Sequence, residues 1–393
     1  MKFLLSLVTA LMAGVLAFAQ PKINVQKEIE FAKAQYELML KANTDITRFP
    51  QSIKKDGTLD TRKAHWWCSG FFGGTLWYIY EYSKDNKWKE AAEKWTMAVE
   101  KEKDNNRTHD LGFMLYCPFG NGYRLTNNEK YKEVMLTGAE SLSTRFDEKV
   151  GLIKSWDDWG RYKGMYNYVV IIDNMMNLEF LLWASKISGN KKYYDISITH
   201  ADNTIKNHFR KDYSSYHVVC YDKDNGKVVA KRTAQGASDE SAWARGQAWA
   251  LYGYTMMYRE TGHEKYLKQA EKIAKFIINH PNLPSDKVPY WDFNAPYLPN
   301  EERDASAATI IASALLELSS IKNNKKYFNL AEEMLVSLSS PVYKNGLGEN
   351  HNFILKHSVG SKPEGTEVNT PLVYADYYYL EALLRYDKLV NKR

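Results

Sequence analysis

Polar and apolar positions fall into an arrangement that recurs along the chain: a polar turn, a lysine followed by an aromatic residue, then an amphipathic stretch bearing an alanine. Five segments carry it: Asp85-Asn-Lys-Trp88 with Ala92, Asn128-Glu-Lys-Tyr131 with Ala139, Asn190-Lys-Lys-Tyr193 with Ala201, His263-Glu-Lys-Tyr266 with Ala270, and Asn324-Lys-Lys-Tyr327 with Ala331. Each follows another helical pattern, so the chain reads as a series of helical hairpins, and such repeats specify a stacked or closed array. Successive repeats lie 43 to 73 residues apart. Solenoid periods stay within roughly 34 to 47 residues, so long loops must separate some hairpins. The periodicity predicts twelve helices, over 25–43, 70–83, 87–103, 109–119, 129–144, 167–187, 191–208, 239–260, 264–279, 304–320, 326–338 and 370–388. Six hairpins placed head to tail close into a double ring, with the repeat-bearing helices outside. The segment from Tyr266 alternates faces as an outer helix should, whereas 167–187 is apolar on nearly every side and must be buried. Tyr216–Tyr221 and Lys227–Ala230, around Asp222-Lys-Asp-Asn-Gly226, read as a small β-hairpin at the rim.

The N-terminus opens Met1-Lys2, runs apolar from Phe3 to Leu16 and ends Ala17-Phe18-Ala19-Gln20. This is the layout of a secretory signal cut after Ala19. It implies a periplasmic or secreted protein with no membrane anchor, since no cysteine follows the cut. No Pro/Gly-rich linker divides the remainder, so 20–393 is expected to be a single catalytic domain. The formal charge is +6, or +5 once Lys2 is removed, with no block of basic residues. That excludes the clustered basic surface of a nucleic-acid binder and is compatible with a small anionic substrate. Aromatic residues make up 14% of the chain, 11 of them Trp, which suits surfaces that stack on sugar rings as well as a large helical core. Cys68, Cys117 and Cys220 are too few for a disulfide framework and are expected as small core residues. No CxxC or HExxH spacing points to a metal, and no cofactor is expected.

The candidate chemistry centres on Asp173, a carboxylate inside an apolar stretch. Burying an ionised carboxylate costs several kcal/mol, so it should be paired or hold its proton to unusually high pH. The second condition is what a general acid needs. Asn177, four residues on, shares its helical face, and Asn174 flanks the pair. The alternative is a core Asp that bridges neighbouring helices. Further polar residues cluster at the starts of inner helices: Trp67-Cys-Ser69, Thr108-His109-Asp110, Ser155-Trp156-Asp157, and the segment from Thr233 through Gln235, Ser238 and Asp239 to Arg245 and Trp249. Arg245 and Trp249 present a cation beside a flat aromatic, as a sugar acid would require. The competing reading pairs Arg245 with Asp239 or Glu240, makes Ser238 an N-cap, and gives Thr108 or Asp110 the same capping role.

Four motifs, His109-Asp110-Leu-Gly-Phe, Asp173-Asn-x-x-Asn177, Ser241-Ala-Trp-Ala-Arg-Gly-Gln-Ala-Trp249 and Pro371-Leu-Val-Tyr374-Ala-Asp376-Tyr-Tyr378, together resemble the unsaturated glucuronyl hydrolases of glycoside hydrolase family 88. The resemblance spans residues 25 to 388. It implies an all-α (α/α)6 barrel and release of a terminal 4,5-unsaturated uronic acid from lyase-generated glycosaminoglycan oligosaccharides. By the same resemblance Asp173 protonates C4 and guides water onto C5, and Asp110 is the second catalytic carboxylate. Trp67, Trp156, His217, Gln235, Arg245, Trp249 and Tyr374 would line the sugar site. His217 on sequence alone reads as an ordinary, partly exposed histidine. Ser358, Ser361 and Lys362 resemble the family's sulfate-contacting loop, with Lys362 directly after Ser361 where a one-residue gap is usual. Ala234 stands where the family commonly has His or Arg, so the resemblance does not define the second sugar. The expected partner is an unsaturated uronic-acid oligosaccharide, taken up by a monomer or weak homo-oligomer. The rival readings are an unsaturated rhamnogalacturonyl hydrolase acting on pectin fragments and a non-catalytic secreted glycan-binding protein.

Overall fold

Five tight turns set the architecture, and they are the repeats seen in the sequence. In a computed structural model, which describes residues 22–391, the residue before each repeat is in the left-handed conformation: Lys84, Asn127, Gly189, Gly262 and Asn323, with φ of 56°, 54°, 73°, 68° and 48°. The next residue caps the following helix. Asp85, Asn128, Asn190 and Asn324 accept the amide two residues on through their side chains, and His263 holds the same place without such a bond. One residue thus ends a helix and the next begins another, which reverses the chain within a single turn. The repeat aromatics Trp88, Tyr131, Tyr193, Tyr266 and Tyr327 and the five alanines are all buried.

The helices are α1 (Val25–Ala42), α2 (Ser69–Ser83), α3 (Asn86–Met97), α4 (Asn121–Thr126), α5 (Glu129–Ser143), α6 (Leu178–Ser188), α7 (Lys191–Asn207), α8 (Ala244–Thr261), α9 (Glu264–Asn279), α10 (Ala305–Lys322), α11 (Lys325–Leu338) and α12 (Val373–Asn391). Helices α2, α4, α6, α8, α10 and α12 form the inner ring. Contacts run from α2 through the segment preceding α4, then α6, α8, α10 and α12, and return to α2. The odd-numbered helices form the outer ring. The chain is an (α/α)6 barrel, as expected, and inner helices such as α10 are apolar because they are enclosed on all sides.

Several boundaries differ from expectation for identifiable reasons. The segment 167–187 is not one helix: Tyr168–Ile171 is a strand, Ile172–Asn177 is a 3₁₀ turn, and only then does α6 begin. The β-branched run Val-Val-Ile-Ile prefers a pleated strand, and its apolar character reflects burial rather than helicity. The inner helix expected at 109–119 is a π-helix, Gly112–Gly120, wound around Pro118 and continuing into α4. Helix α3 stops at Met97, and 100–104 is a separate 3₁₀ turn. Helix α8 begins at Ala244 and not at 239, so Ser238 does not cap it; its side-chain neighbour Ser241 is turned instead toward Asp292, 2.7 Å away.

Short strands gather at the end of the barrel where the inner helices start. They are β1 (Phe49–Ile53) with β2 (Leu59–Arg62), β3 (Phe146–Asp147) with β4 (Leu152–Ile153), a three-stranded sheet of β5 (Tyr168–Ile171), β6 (Val218–Tyr221) and β7 (Val228–Arg232), and β8 (Ser358–Ser361) with β9 (Thr366–Thr370). The expected hairpin is β6–β7, and β5 extends it. The signal expected at residues 1–19 lies outside the described residues. Cys68, Cys117 and Cys220 are buried and unpaired.

Asp376 ties the last inner helix back to the first outer one. It accepts hydrogen bonds from the Ile354 and Leu355 amides at 2.9 and 3.0 Å and from the Tyr36 hydroxyl at 3.2 Å. Burial still pushes its carboxyl up to about 7. Replacing Asp376 with Ala leaves two buried amides without acceptors, and stability should fall by roughly 2–4 kcal/mol in urea unfolding. A loss below about 1 kcal/mol would show that this closure is not held as described.

Candidate active site

The first turns of the inner helices bring together residues from distant parts of the chain. Asp110 lies two residues before the π-helix, and Asp173 sits where β5 breaks into the 3₁₀ turn. Their segments are joined directly: the Gly112 amide donates to Asn177 Oδ1 at 2.9 Å. A side chain at 112 could not be accommodated, because its Cβ would lie 2.6 Å from Asn177 Oδ1 and 3.0 Å from Asn177 Cα. Asn177 is held in turn through its Nδ2, which donates to Asn174 Oδ1 at 3.0 Å, while Asn174 Nδ2 donates to the Ile153 carbonyl at 2.7 Å. The helical face expected for Asp173, Asn174 and Asn177 is instead a 3₁₀ turn, in which the two asparagines are joined to each other and position the backbone.

Each carboxylate faces a buried neutral histidine. Asn177 Nδ2 approaches His109 Nδ1 at 3.4 Å, so Nδ1 is the acceptor and the proton sits on Nε2, 3.3 Å from Asp110 Oδ1. His217 Nδ1 accepts from the Ala234 and Gln235 amides, both at 3.2 Å, which likewise leaves the proton on Nε2, 3.8 Å from Asp173 Oδ2. Burial lowers His109 and pushes His217 down to about 3, so neither contact is an ion pair at neutral pH. His217 is 3% exposed, unlike the partly exposed residue expected from sequence alone. It packs against Trp243, with ring centres 4.3 Å apart and the planes tilted by 32°.

Asp110 caps no helix. Its carboxylate accepts from the Thr108 hydroxyl at 2.9 Å, and that hydroxyl accepts from the Asp110 amide at 3.1 Å. Asp173 is 9% exposed and its Oδ2 has no hydrogen-bond partner. Burial pushes its carboxyl up to about 7; the Arg245 charge opposes that shift, the Asp110 charge adds to it, and the Trp249 indole N–H, outside regular hydrogen-bond geometry, opposes it weakly. This group carries its proton near neutrality without being tied to another side chain.

Arg245 is committed within the protein. Its Nη1 donates to Asp304 Oδ2 at 3.3 Å and to the Val359 carbonyl, and its Nη2 donates to the Gly360 carbonyl at 2.7 Å. Its partner is thus Asp304, which also caps α10 by accepting the Ser306 amide. Asp239 pairs with Arg232 and Glu240 with Arg210. Arg245 pins β8 to the starts of α8 and α10, with its guanidinium 4.5 Å from the Trp243 ring and 5.4 Å from the Tyr374 ring. Around it, Trp67 lies 4.9 Å from Tyr374 and 5.5 Å from Phe113, and Phe113 lies 5.1 Å from Trp249. Trp156 is 6.2 Å from His217. Gln235 Nε2 donates to the Gly360 carbonyl at 3.1 Å, so it braces β8 as well. Lys362 turns away to Glu302.

The feature that marks this region is unmet hydrogen bonding. His109 Nε2, Asp173 Oδ2, His217 Nε2, Trp249 Nε1, Ser358 Oγ, Ser361 Oγ and Tyr374 Oη are buried without partners. Buried polar groups are almost always satisfied, so such a convergence is what a site for a polar ligand presents. Among the described residues no cluster of three or more His, Cys, Asp or Glu is placed to hold a metal. A separate cavity of about 650 Å³ opens at the far end of the barrel and touches Gly112, Phe113 and Met176 from below, but neither Asp110 nor Asp173 lines it. Sequence reasoning missed Trp243, Asp292 and Asp304; the last could have been found, since it is the N-cap of a helix that the pattern placed correctly.

An (α/α)6 barrel with two carboxylates at the mouth and aromatic walls defines a carbohydrate-active enzyme. The chain matches Glycosyl Hydrolase Family 88 over residues 40–389 and belongs to that family of glycoside hydrolases. It is 44% identical to an unsaturated glucuronyl hydrolase of Formosa agariphila, over 94% of this chain and 92% of that protein. It is 31% identical to an unsaturated chondroitin disaccharide hydrolase of Streptococcus pneumoniae, over 94% and 95% of the two chains. The crystal structure of an unsaturated glucuronyl hydrolase specific for heparin superposes with a TM-score of 0.90 at 48% identity, covering 93% of this chain and 98% of that one.

Gly112→Ala should push the Asp110 and Asp173 segments apart. The expected result is a loss of turnover of about 100-fold, as for a misplacement of about 1 Å, in a protein that remains folded at a cost of roughly 1–3 kcal/mol. Turnover within twofold of wild type would contradict the positioning role of the Gly112–Asn177 contact.

Proposed function

We propose that the chain removes the terminal 4,5-unsaturated uronic acid from lyase-generated glycosaminoglycan oligosaccharides by hydrating the C4=C5 bond. The observation that carries this reading is the buried Asp173, its Oδ2 without a hydrogen-bond partner and its carboxyl pushed up to about 7 by burial and by the charge of Asp110, among other unsatisfied donors and acceptors. The named activities of the relatives, on heparin and on chondroitin disaccharides, support the same class of substrate. Asp173 gives its proton to C4, and the positive charge that develops at C5 is shared with the ring oxygen. Water adds to C5 as the carboxylates take up its proton. The resulting C5 hemiketal opens to a ketone, and the freed C1 hemiacetal expels the neighbouring sugar, so no group of the protein attacks the anomeric carbon. This differs from ordinary two-carboxylate hydrolysis, in which acid and base act across the glycosidic bond itself.

The surroundings suit each stage. Before transfer Asp173 is neutral because it is dry. After transfer its carboxylate meets the His217 Nε2–H, the Trp249 Nε1–H and the field of Arg245, which lower the energy of the newly charged group. His217 performs this as a neutral donor, since its Nδ1 already accepts two amides.

Two outcomes are expected. Asp173→Asn should lower kcat on an unsaturated disaccharide at least 100-fold, followed by loss of the alkene absorbance, while binding persists. A rate near wild type would remove Asp173 from the chemistry. The wild-type rate should also fall as pH rises through about 7, where Asp173 loses its proton. The same shift has a stability signature. With its folded pKa raised, Asp173 contributes stability that is present below the unfolded value and is lost as pH rises toward the folded one. Asp173→Asn should therefore gain on wild type in thermal stability as pH rises from about 4 to about 7, and hold a constant margin above. A margin that does not change with pH would contradict the raised value.

A further inference from the structure

The β8–β9 ribbon beside the site carries a carboxylate with no part in the chemistry above. Glu367, on β9 with φ 52°, folds its side chain over Gly360, occupying the space where a Cβ at 360 would overlap Glu367 Oε2. The carbonyl of the same Gly360 accepts from Arg245 Nη2 and Gln235 Nε2. Glu367 therefore stands at the edge of the mouth, and its charge is felt at Arg245, Tyr374 and Cys68.

Among the described residues no cation pairs with the carboxylate, and burial raises its carboxyl above the usual range. Its hydrogen-bond donor is the Gln51 amide. The two nearby guanidinium groups are engaged elsewhere, Arg62 with Asp60 at 2.7 Å and Arg245 with Asp304 at 3.3 Å. Lys362, on the same ribbon, is held by Glu302 and lies 4.0 Å from Glu301. The loop that reaches Gly360 through Gln235 contributes Ala234 and no cation. Ser358 and Ser361, 0% and 5% exposed, have hydroxyls without partners. The ribbon thus offers hydroxyl groups and one carboxyl group without an ionic partner. An ammonium group would complete the missing ion pair and hold the carboxyl ionised, whereas an anionic substituent would find no cation free to meet it.

We propose that Glu367, together with Ser358 and Ser361, forms a subsite for a second sugar bearing a free ammonium group, an unsubstituted 2-amino-2-deoxyhexose, and selects against sulfated counterparts. This rests on the proposed function, whose substrate it narrows. The test compares kcat/KM of wild type and Glu367→Gln on three unsaturated disaccharides that differ only at the amino group: free amine, N-acetyl and N-sulfo. Wild type should favour the free amine. In Glu367→Gln the preference for free amine over N-acetyl should fall about tenfold, mainly through KM, and the N-sulfo substrate should gain relative to both. An unchanged ratio, or a wild type that favours the N-sulfo substrate, would overturn the subsite while leaving the hydrolase reading intact. Wild-type inactivity on all three would overturn both. Should Glu367→Gln fail to fold, the wild-type ranking decides alone.

Discussion

A carboxyl group kept out of water with no cation in contact is the constraint that organises this molecule. Leaving a carboxylate in that state costs several kcal/mol, so the group keeps its proton, and every neighbour of Asp173 has to be compatible with both forms. The two histidines meet that requirement by being neutral. Each has its Nδ1 occupied by amide N–H groups and turns its Nε2–H toward a carboxylate, His109 toward Asp110 and His217 toward Asp173. A charged histidine in the place of His217 would form an ion pair with Asp173 and favour its ionised form. The loop from Thr233 to Ser241, which supplies the two amides to His217, is fixed by Asp292 through the Ser241 hydroxyl and the Ala237 amide. Proton placement is thus decided several residues from the carboxylates.

The barrel makes this possible through direction. Five helix pairs reverse at a left-handed residue followed directly by the cap position of the next helix, so the inner helices point the same way and their first turns meet at one end. The far end receives paired charges instead, such as Arg259 with Glu179 and Glu317, and Arg124 with Glu81. The chemistry-bearing residues come from the segments before or at the helix starts, where the backbone is irregular: a 3₁₀ turn at Asp173, a π-helix after Asp110 and two-stranded ribbons elsewhere. Irregular backbone at the mouth aims side chains that regular helices would have spread around the axis.

Much of this was legible in the sequence. The lysine-aromatic repeats marked the turns because capping and burial impose the same residues at each one, and the ring followed from the five hairpins they mark with a sixth helix pair to close it. Asp173 stood out because a carboxylate in an apolar run demands an explanation. The reading failed where two causes of apolarity look alike. Tyr168–Ile171 is apolar because it is a buried strand, and periodicity does not separate that from a buried helix. Pairings across the chain were out of reach for the same local method. Asp239 and Glu240 are the carboxylates near Arg245 in the sequence, whereas its partner is Asp304, 59 residues on. Glu367 has no local signal at all; its isolation is visible only once Arg62, Arg245 and Lys362 are seen to face other partners.

The central claim is that one carboxyl group at the barrel mouth holds its proton to near-neutral pH. A ¹³C NMR titration of side-chain carboxyl groups, with the resonance assigned by its disappearance in Asp173→Asn, measures this directly. The account predicts that Asp173 titrates near pH 7. A midpoint below about 5 would mean that the group is ionised at working pH, and it would contradict the protonated acid on which the proposed chemistry depends.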